Sequence, residues 1–173
     1  QDGADIIDVG GESTRPGYEQ ISSEEEIGRV VPIIECLAQE VNVPISIDTY
    51  KADVARAALK AGAHIINDIW GAKADPDMAK VAADTGAPII LMHNREAKPY
   101  QDFMRDALND LYESIQLVKG AGVKDGQIIL DPGIGFAKTL EENLLMMRNL
   151  RIITSLGYPV LLGTSRKSMI GHT

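Results

Sequence analysis

Six short apolar runs, each ending in a polar residue and each followed by a helix-like stretch, constrain this fold more than any other feature. The runs are residues 6–8, 45–48, 65–67, 89–93, 128–131 and 160–165. Near-continuous Ile, Val and Leu runs are typical of strands buried on both faces, as parallel strands are. Successive runs begin 20 to 39 residues apart, which leaves room for a helix between parallel neighbours. The pattern predicts an α/β fold with a parallel sheet.

In a (β/α)8 barrel, catalytic and binding groups collect at the carboxyl ends of the strands, where the polar residues of these runs stand. A complete barrel of this type typically needs about 250 residues, whereas this chain has 173 residues and six strand candidates. We therefore expect one domain over residues 1–173, an incomplete TIM (β/α)8 barrel with six of the strands present. A smaller, six-stranded open sheet is the alternative.

The composition narrows the classes of function. The net charge of −8 argues against nucleic acid as a partner, since nucleic-acid binders present a basic surface. No apolar run approaches the roughly 18 residues that a membrane span needs, so no membrane partner is expected. Cys36 is the only cysteine, which excludes an internal disulfide and predicts a reducing, cytoplasmic setting. Its place in an apolar helical stripe puts Cys36 in the predicted core.

Helix signals fill the gaps between the runs. Ser23 is predicted to cap the first helix, because three glutamates follow it and favour the positive end of the helix dipole. Gly62 and Gly157 are predicted to close two others, since glycine is favoured just past a helix end. One predicted helix begins at Ser23, and a further one begins after Ser165. The others span residues 51–61, 75–86, 100–119 and 140–156.

The segment 10–17 after the first run combines glycines with polar donors. Its glycines permit backbone conformations that other residues avoid, while Thr14 and Arg15 offer a hydroxyl and a guanidinium to an anionic or planar group. The alternative is an ordinary mobile turn. Because loops at this end of a barrel carry function, we predict ligand contact.

Asp48 and Asp131 each close an apolar run, and Asn67 closes a third. A carboxylate can accept two parallel hydrogen bonds from the N–H edge of a heterocycle, much as it does from a guanidinium. Each aspartate could instead cap the helix that follows. Since all three belong to one ring of strand ends, we predict a binding site. Asp68 would point to the opposite face of its strand and is predicted to be a structural cap.

Two later segments also carry candidates. Residues 131–136 turn out of the sheet and present Phe136 either on a glycine-flanked flap or in the core. Residues 163–168 lead into a helix whose free N–H groups and cations suit a carboxylate or phosphate, without the spacing of a nucleotide P-loop. Met92 lines a pocket floor or fills core space. His93 is predicted to be supporting structure, and no residues have zinc-ligand spacing.

Together these motifs resemble the central part of the bacterial dihydropteroate synthase family, especially its Gram-positive form. The resemblance covers residues 5–171 and is carried by segments 10–17, 46–49, 65–68, 131–133 and 165–168. It implies a (β/α)8 barrel that joins 4-aminobenzoate to 6-hydroxymethyl-7,8-dihydropterin diphosphate and releases diphosphate, in folate biosynthesis. It also implies Mg2+ as a cofactor and, for the complete protein, a homodimer.

The resemblance further implies roles for individual residues. Asp48 and Lys167 would be catalytic. The residues implied to hold or line the pterin are Asp48, Asn67, Ile69, Met92, Asp131, Gly163 and Lys167. Those implied to lie on loops over the reacting pair or to meet 4-aminobenzoate are Thr14, Arg15, Phe136 and Ser168. In the family the C–O bond breaks largely before the amine attacks, and carboxylates such as Asp48 suit the resulting pterin cation.

Two family segments have no counterpart here: a first-strand loop with an Asn that helps hold metal and diphosphate, and a basic Arg-x-His segment on the last strand. The resemblance therefore assigns no metal ligand to this chain, and catalysis by these residues alone is not expected. The alternatives are a pterin-dependent methyltransferase of related barrel fold and a non-catalytic pterin-binding fragment. Segments 13–17 and 165–168 favour the synthase over the methyltransferase.

Overall fold

The computed structural model describes residues 3–14, 19–96 and 99–171. Its sheet has five parallel strands, and each strand pairs with the next one along the chain. The strands are β1 Ile7–Gly10, β2 Ile45–Asp48, β3 Ile65–Asp68, β4 Ile89–Met92 and β5 Ile128–Asp131. Consecutive parallel order with a helix in every gap is the arrangement of a (β/α)8 barrel. The fold is therefore α/β, part of such a barrel, as predicted.

The sixth apolar run lies beside β5 without becoming a strand of the sheet. Val160 makes a single parallel bridge with Leu130, and the Leu161 N–H donates to the Leu130 carbonyl at 2.8 Å. The prediction of six strands is one too many for the described residues. The run is not enclosed on both faces, since Val160 and Leu161 are half-buried and Leu162 is 39% exposed.

Helices fill the gaps between the strands, and some of them differ from the sequence prediction at their ends. The helices are α1 Ser23–Glu40, α2 Ala52–Ala61, α3 Met78–Thr85, α4 Phe103–Gly120, α5 Leu140–Arg148, α6 Leu150–Thr154 and α7 Ser168–Gly171. The predicted helix 140–156 is interrupted at Asn149, which leaves helical geometry with φ −107°. Within the described part of the chain, none of these helices has the length and apolarity to cross a bilayer.

Helix starts differ from the sequence prediction at α1, α3 and α4, the last of which begins at Phe103 rather than at residue 100. The cap of α1 is Ser22, whose hydroxyl accepts a hydrogen bond from Glu25 N at 3.1 Å, so Ser23 is the first helical residue. Asp75 lies in the turn before α3, and its carboxylate accepts hydrogen bonds from Ala52 N at 2.7 Å and from Asp77 N at 3.0 Å. Asp75 thereby accepts a hydrogen bond from a free N–H group at the amino terminus of α2. The side chain of Lys51, which precedes that helix, makes no capping hydrogen bond.

The main core lies between the sheet and the helices. It joins one face of the strands to the apolar stripes of α1, α2 and α4, with members such as Ile47, Ile66, Leu91, Ile34 and Leu111. Cys36 is exposed, contrary to the prediction. It lies two residues beyond buried Ile34, a rotation of about 200° around the helix axis, so it faces away from the sheet.

An ion-pair cluster ties the segment after β1 to α1 and α2. Lys51 Nζ lies 2.7 Å from Glu12 Oε2 and 2.8 Å from Glu26 Oε2, and it also donates to the Ile21 carbonyl. Glu12 accepts further hydrogen bonds from Tyr50 and from Ile21 N. One lysine therefore fixes both ends of the segment that begins at Glu12 and ends at Ile21.

We expect Lys51→Met to lower the free energy of unfolding by about 3 kcal/mol, because it leaves two enclosed glutamates without their cation. Urea denaturation measures this loss. The matched control is Lys73→Met, since Lys73 pairs with an exposed glutamate, Glu113, and surface pairs contribute below about 1 kcal/mol. Equal losses in the two variants would contradict the prediction.

Candidate functional site

The register of the strands places the predicted acid and amide side chains on one face of the sheet. Asp48 pairs in register with Asn67, and Met92 pairs with Asp131. Asn67 is in turn paired with Ile90, two residues before Met92. Because side chains alternate along each strand and registered neighbours share a face, all five residues lie on the same side.

That side is the one opposite the helices. The helix-facing core contains the alternate residues Ile47, Ile66, Leu91 and Leu130, and it does not include Ile90 or Met92 although both are buried. The structure therefore brings Asp48, Asn67 and Asp131 to the carboxyl edge of the sheet on the face that a barrel encloses.

Asp8 belongs to the same group, although the sequence analysis gave it no role. It pairs in register with Ser46, whose hydroxyl donates to Asp8 Oδ1 at 2.5 Å. Asn67 Nδ2 lies 3.4 Å from both oxygens of Asp8. The available signal was its position as the polar residue that closes the first apolar run, although β1 continues to Gly10 and places Asp8 two residues before the strand end.

Asp48 lacks the partners that a buried carboxylate normally has. Its Oδ1 is buried and makes no hydrogen bond within the described residues. Burial, followed by the charges of Asp8, Asp68 and Glu26, raises the pKa of Asp48 to about 7. A buried acceptor without a donor is costly, so the site favours a ligand that presents N–H groups.

Asp68 behaves as predicted for a structural cap. It lies on the helix-facing side, is fully buried, and accepts hydrogen bonds from Trp70 N and Ala72 N at 2.8 Å each. Burial raises its pKa to about 6, although those two hydrogen bonds oppose the shift. Asp68 thus shapes the turn after β3 and presents no oxygen to the opposite face.

Asp131 is held by the turn that follows it. Its Oδ1 accepts from Gly133 N at 2.8 Å, and the residue is 7% exposed. Burial raises the pKa of Asp131, while the Gly133 hydrogen bond and the charges of Lys138 and Lys167 lower it. Two cations therefore oppose the effect of burial on Asp131.

Phe136 and Lys167 are in contact, as their predicted common site requires. Lys167 Nζ lies 4.4 Å from the centroid of the Phe136 ring, within cation–π range. Gly135 permits this approach, because a Cβ there would lie 3.1 Å from Lys167 Cδ and its φ is +86°. Phe136 is half-buried and lies outside the main core, which agrees with the flap rather than the core alternative.

The remaining predicted residues have less defined surroundings. Ile69 is buried outside the helix-facing core, whereas Thr14 and Gly163 are half-buried. Ser168 is exposed at the first position of α7, a helix of four residues. Arg15 lies outside the described residues.

His93 lies at the end of β4 and supports the structure around the site. Its Nε2 is 2.9 Å from Asp110 Oδ2, and Arg95 contacts both oxygens of that aspartate. Burial lowers the pKa of His93 to about 4, although the Asp110 hydrogen bond opposes this. The imidazole is thus neutral near pH 7 and holds α4 against β4.

A cleft of about 710 Å³ opens among the loops after β2, β3 and β4. It is lined in part by Tyr50, Trp70 and Asn94, and contains none of the predicted site residues. Its cations are already paired, Arg95 with Asp110 and Lys73 with Glu113. The chemistry of the strand ends, rather than this rim cleft, therefore defines the candidate site.

Comparisons with known proteins agree with this geometry. The family described as "Pterin binding enzyme" matches residues 1–173. Among curated relatives, the dihydropteroate synthases of Clostridium beijerinckii and Bacillus subtilis are 66% and 61% identical over 169 and 171 residues. The matches cover 98% and 99% of this chain but only 63% and 60% of those proteins.

Solved structures give the same result. The dihydropteroate synthase of Clostridium difficile in the presence of pteroic acid matches with a TM-score of 0.95 and 50% identity, over 98% of this chain and 65% of that one. The enzyme of Xanthomonas albilineans with 4-aminobenzoic acid has a TM-score of 0.94 and 41% identity, over 98% and 62% of the two chains. The chain belongs to the pterin-binding enzyme family.

We expect Asp48→Asn to make the free energy of unfolding less dependent on pH. The fold raises the pKa of Asp48 from 3.8 to about 7, so the folded protein holds this proton more tightly than the unfolded chain does. The stabilisation from the wild-type carboxyl is complete below pH 3.8 and is lost as pH rises through 7. The variant should therefore gain about 4 kcal/mol relative to wild type between pH 4 and pH 8.

Urea denaturation at the two pH values measures this gain. The control is Asp84→Asn, which makes the same chemical change on the surface of α3, where Asp84 pairs with Lys80. If Asp48→Asn changes the free energy of unfolding by the same amount at pH 4 and at pH 8, the fold does not shift the pKa of this carboxyl.

Proposed function

We propose that the protein acts as a dihydropteroate synthase, a transferase that condenses 6-hydroxymethyl-7,8-dihydropterin diphosphate with 4-aminobenzoate to give 7,8-dihydropteroate and diphosphate. The observation that carries the proposal is the common face and strand-end position of Asp48, Asn67 and Asp131. Family membership and the identity to dihydropteroate synthases support it. Because the chain spans less than two thirds of those relatives, the activity is proposed for the complete protein.

In this proposal the pterin lies against the helix-free face of the sheet. Asp48 and Asp131 accept hydrogen bonds from its N–H edge, and Asn67 contributes a donor and an acceptor. The unpartnered Oδ1 of Asp48 supports this role. Ile69, Met92 and Gly163 would line the slot, and Lys167 would donate to the pterin carbonyl and ring nitrogen side.

The proposed reaction needs electrostatic stabilisation more than a covalent intermediate. The C–O bond between the pterin methylene and diphosphate breaks, and its electron pair leaves with diphosphate. The amine of 4-aminobenzoate then bonds to the methylene carbon and loses a proton. The carboxylates Asp48 and Asp131 would stabilise the cation formed between these steps, because fixed charges act strongly in an enclosed site.

The second substrate is proposed to bind beside the first. Phe136 would flank the 4-aminobenzoate ring, and the cation–π contact with Lys167 supports a fixed ring position. Ser168 at the start of α7 would meet the carboxylate of that substrate. Thr14 and Arg15 would belong to the loop over the reacting pair.

Mg2+ remains part of the proposal through the family resemblance. The described residues contain no group of three or more His, Cys, Asp or Glu side chains that could hold a metal ion, so they do not fit a resident metal site. No step above depends on a metal. A cytoplasmic location and a homodimer of the complete protein are likewise proposed from the resemblance.

The complete protein, supplied with both substrates, provides the test of the reaction. We expect diphosphate and 7,8-dihydropteroate to appear in equal amounts, and omission of 4-aminobenzoate to remove the dihydropteroate. Absence of diphosphate release would eliminate the synthase. Pterin binding without release would favour the methyltransferase or the non-catalytic binding protein.

We expect Asp131→Asn to weaken pterin binding by about 100-fold, because an acceptor is replaced by a donor that faces the N–H edge of the ring. Titration calorimetry with the pterin alone measures the effect. The matched control is again Asp84→Asn on the surface of α3, for which affinity should not change. Near-normal affinity in Asp131→Asn would refute the proposed role.

A further inference from the structure

One buried cation near the site has no assigned role. Lys138 lies in the turn after β5, and its ammonium group donates to the carbonyl oxygens of Gly133 and Phe136 at 2.9 and 2.8 Å. The carbonyl oxygen of His93, at the end of β4, lies 3.5 Å away. No ion pair joins Lys138 to a carboxylate within 4.0 Å in the described part of the chain.

The chain crosses itself tightly at this lysine. A Cβ at Gly133 would lie 1.9 Å from the His93 carbonyl oxygen, and Gly133 has a φ of +68°, so glycine alone fits there. The close approach directs the negative ends of backbone dipoles from β4 and from the turn towards one point. Lys138 Nζ occupies that point, 3.2 Å from the same Cβ position.

Hydrogen bonds hold the turn along its length. Gly133 N donates to Asp131, Gly135 N donates to Asn143 Oδ1 at 2.8 Å, and Phe136 N donates to the Gly133 carbonyl at 3.0 Å. The Ala137 carbonyl accepts from the Tyr100 hydroxyl at 2.9 Å. Residues 133–138 therefore form a fixed platform that joins Asp131 to Phe136, and Lys138 is its only internal cation among the described residues.

We propose that Lys138 is a positioning residue for the pterin site: its ammonium group fixes the turn that carries Asp131 and Phe136, and its charge acts on the Asp131 carboxyl. The inference rests on the proposed function for its consequence in catalysis. Its electrostatic part concerns only the Asp131 carboxyl and holds for the protein without substrate.

The charges around Lys138 support this role. Burial lowers the pKa of Lys138 to about 7, and Lys167 lowers it further, while Asp131 on β5, Glu142 on α5 and Asp110 on α4 raise it. In return, the positive charge of Lys138 lowers the pKa of Asp131. His93 on β4 is neutral near pH 7 and adds no charge.

The first test is the titration of Asp131 itself, followed by NMR of its carboxyl carbon in the complete protein without substrate. In Lys138→Met, which keeps the apolar stem and removes the cation, the pKa of Asp131 should rise by about one unit. Lys138→Arg keeps a cation and should leave this pKa close to that of wild type. An unchanged pKa in Lys138→Met would overturn the electrostatic part of the proposal, whatever the substrate.

A matched control separates charge from tethering. Tyr100→Phe deletes another hydrogen bond to the turn, that to the Ala137 carbonyl, without changing a charge. It should quicken amide hydrogen exchange at Gly135 and Phe136 without moving the pKa of Asp131. An equal rise of that pKa in Tyr100→Phe would show that Lys138 acts through packing alone.

The second test is pterin affinity against pH, measured by calorimetry with the pterin alone. At a pH below the Asp131 pKa that the NMR titration gives, Lys138→Met should bind up to about tenfold more weakly than wild type, because there a rise of one pKa unit lowers the ionised fraction of Asp131 about tenfold. The difference in pterin affinity between the two proteins should become smaller above pH 8, because Asp131 is then ionised in both proteins and Lys138 of the wild type has lost its proton.

The outcomes distinguish the two proposals. Wild-type protein that binds no pterin would remove the proposed function, while the NMR titration would still decide the electrostatic role of Lys138. Wild-type binding together with an identical pH profile in Lys138→Met would remove the role of Lys138 alone. If Lys138→Met does not fold, Lys138→Gln replaces it in both tests with the same expected direction.

Discussion

The parallel register of five short strands is the constraint on which the rest of this structure depends. Each strand offers alternate residues to its two faces, and the ladder lines these faces up across the sheet. One face is taken by Ile, Val and Leu and is covered by the helices. The other receives Asp48, Asn67 and Asp131 at its carboxyl edge, and Asp8 two residues before the end of β1. The packing that stabilises the fold is thereby kept apart from the groups that are proposed to bind a ligand.

Collecting acids at one edge has an electrostatic cost, and the fold offsets it with cations drawn from the loops. Burial and mutual repulsion raise the pKa of Asp48 to about 7, a value far from that of a solvated carboxyl. Lys138 and Lys167 act in the opposite sense on Asp131. The two aspartates of the site are therefore unequal, and a ligand that supplies N–H donors would relieve the less well compensated one.

Much of this arrangement could be predicted from the sequence, because it depends on local pattern. Apolar runs with a polar last residue predicted six strands, five of which form the sheet, and the candidate site residues Asp48, Asn67 and Asp131. Glycine predicted the end of α2. Predictions failed where the deciding contact is distant in sequence. Asp75 caps α2 from 23 residues away, and Cys36 is exposed because the sheet selects a different stripe of α1.

The sequence by itself determined the element order, the parallel sheet and the strand-end positions of the acids, since apolar periodicity and glycine act over a few residues. Only the tertiary structure decided which charges face one another. Asp8 joins the site through Ser46 and Asn67. Lys138 contacts the carbonyl of His93, which follows β4 and lies 45 residues away. Electrostatic energy depends on the distance between charges in space and on their burial, and the order of residues along the chain specifies neither directly.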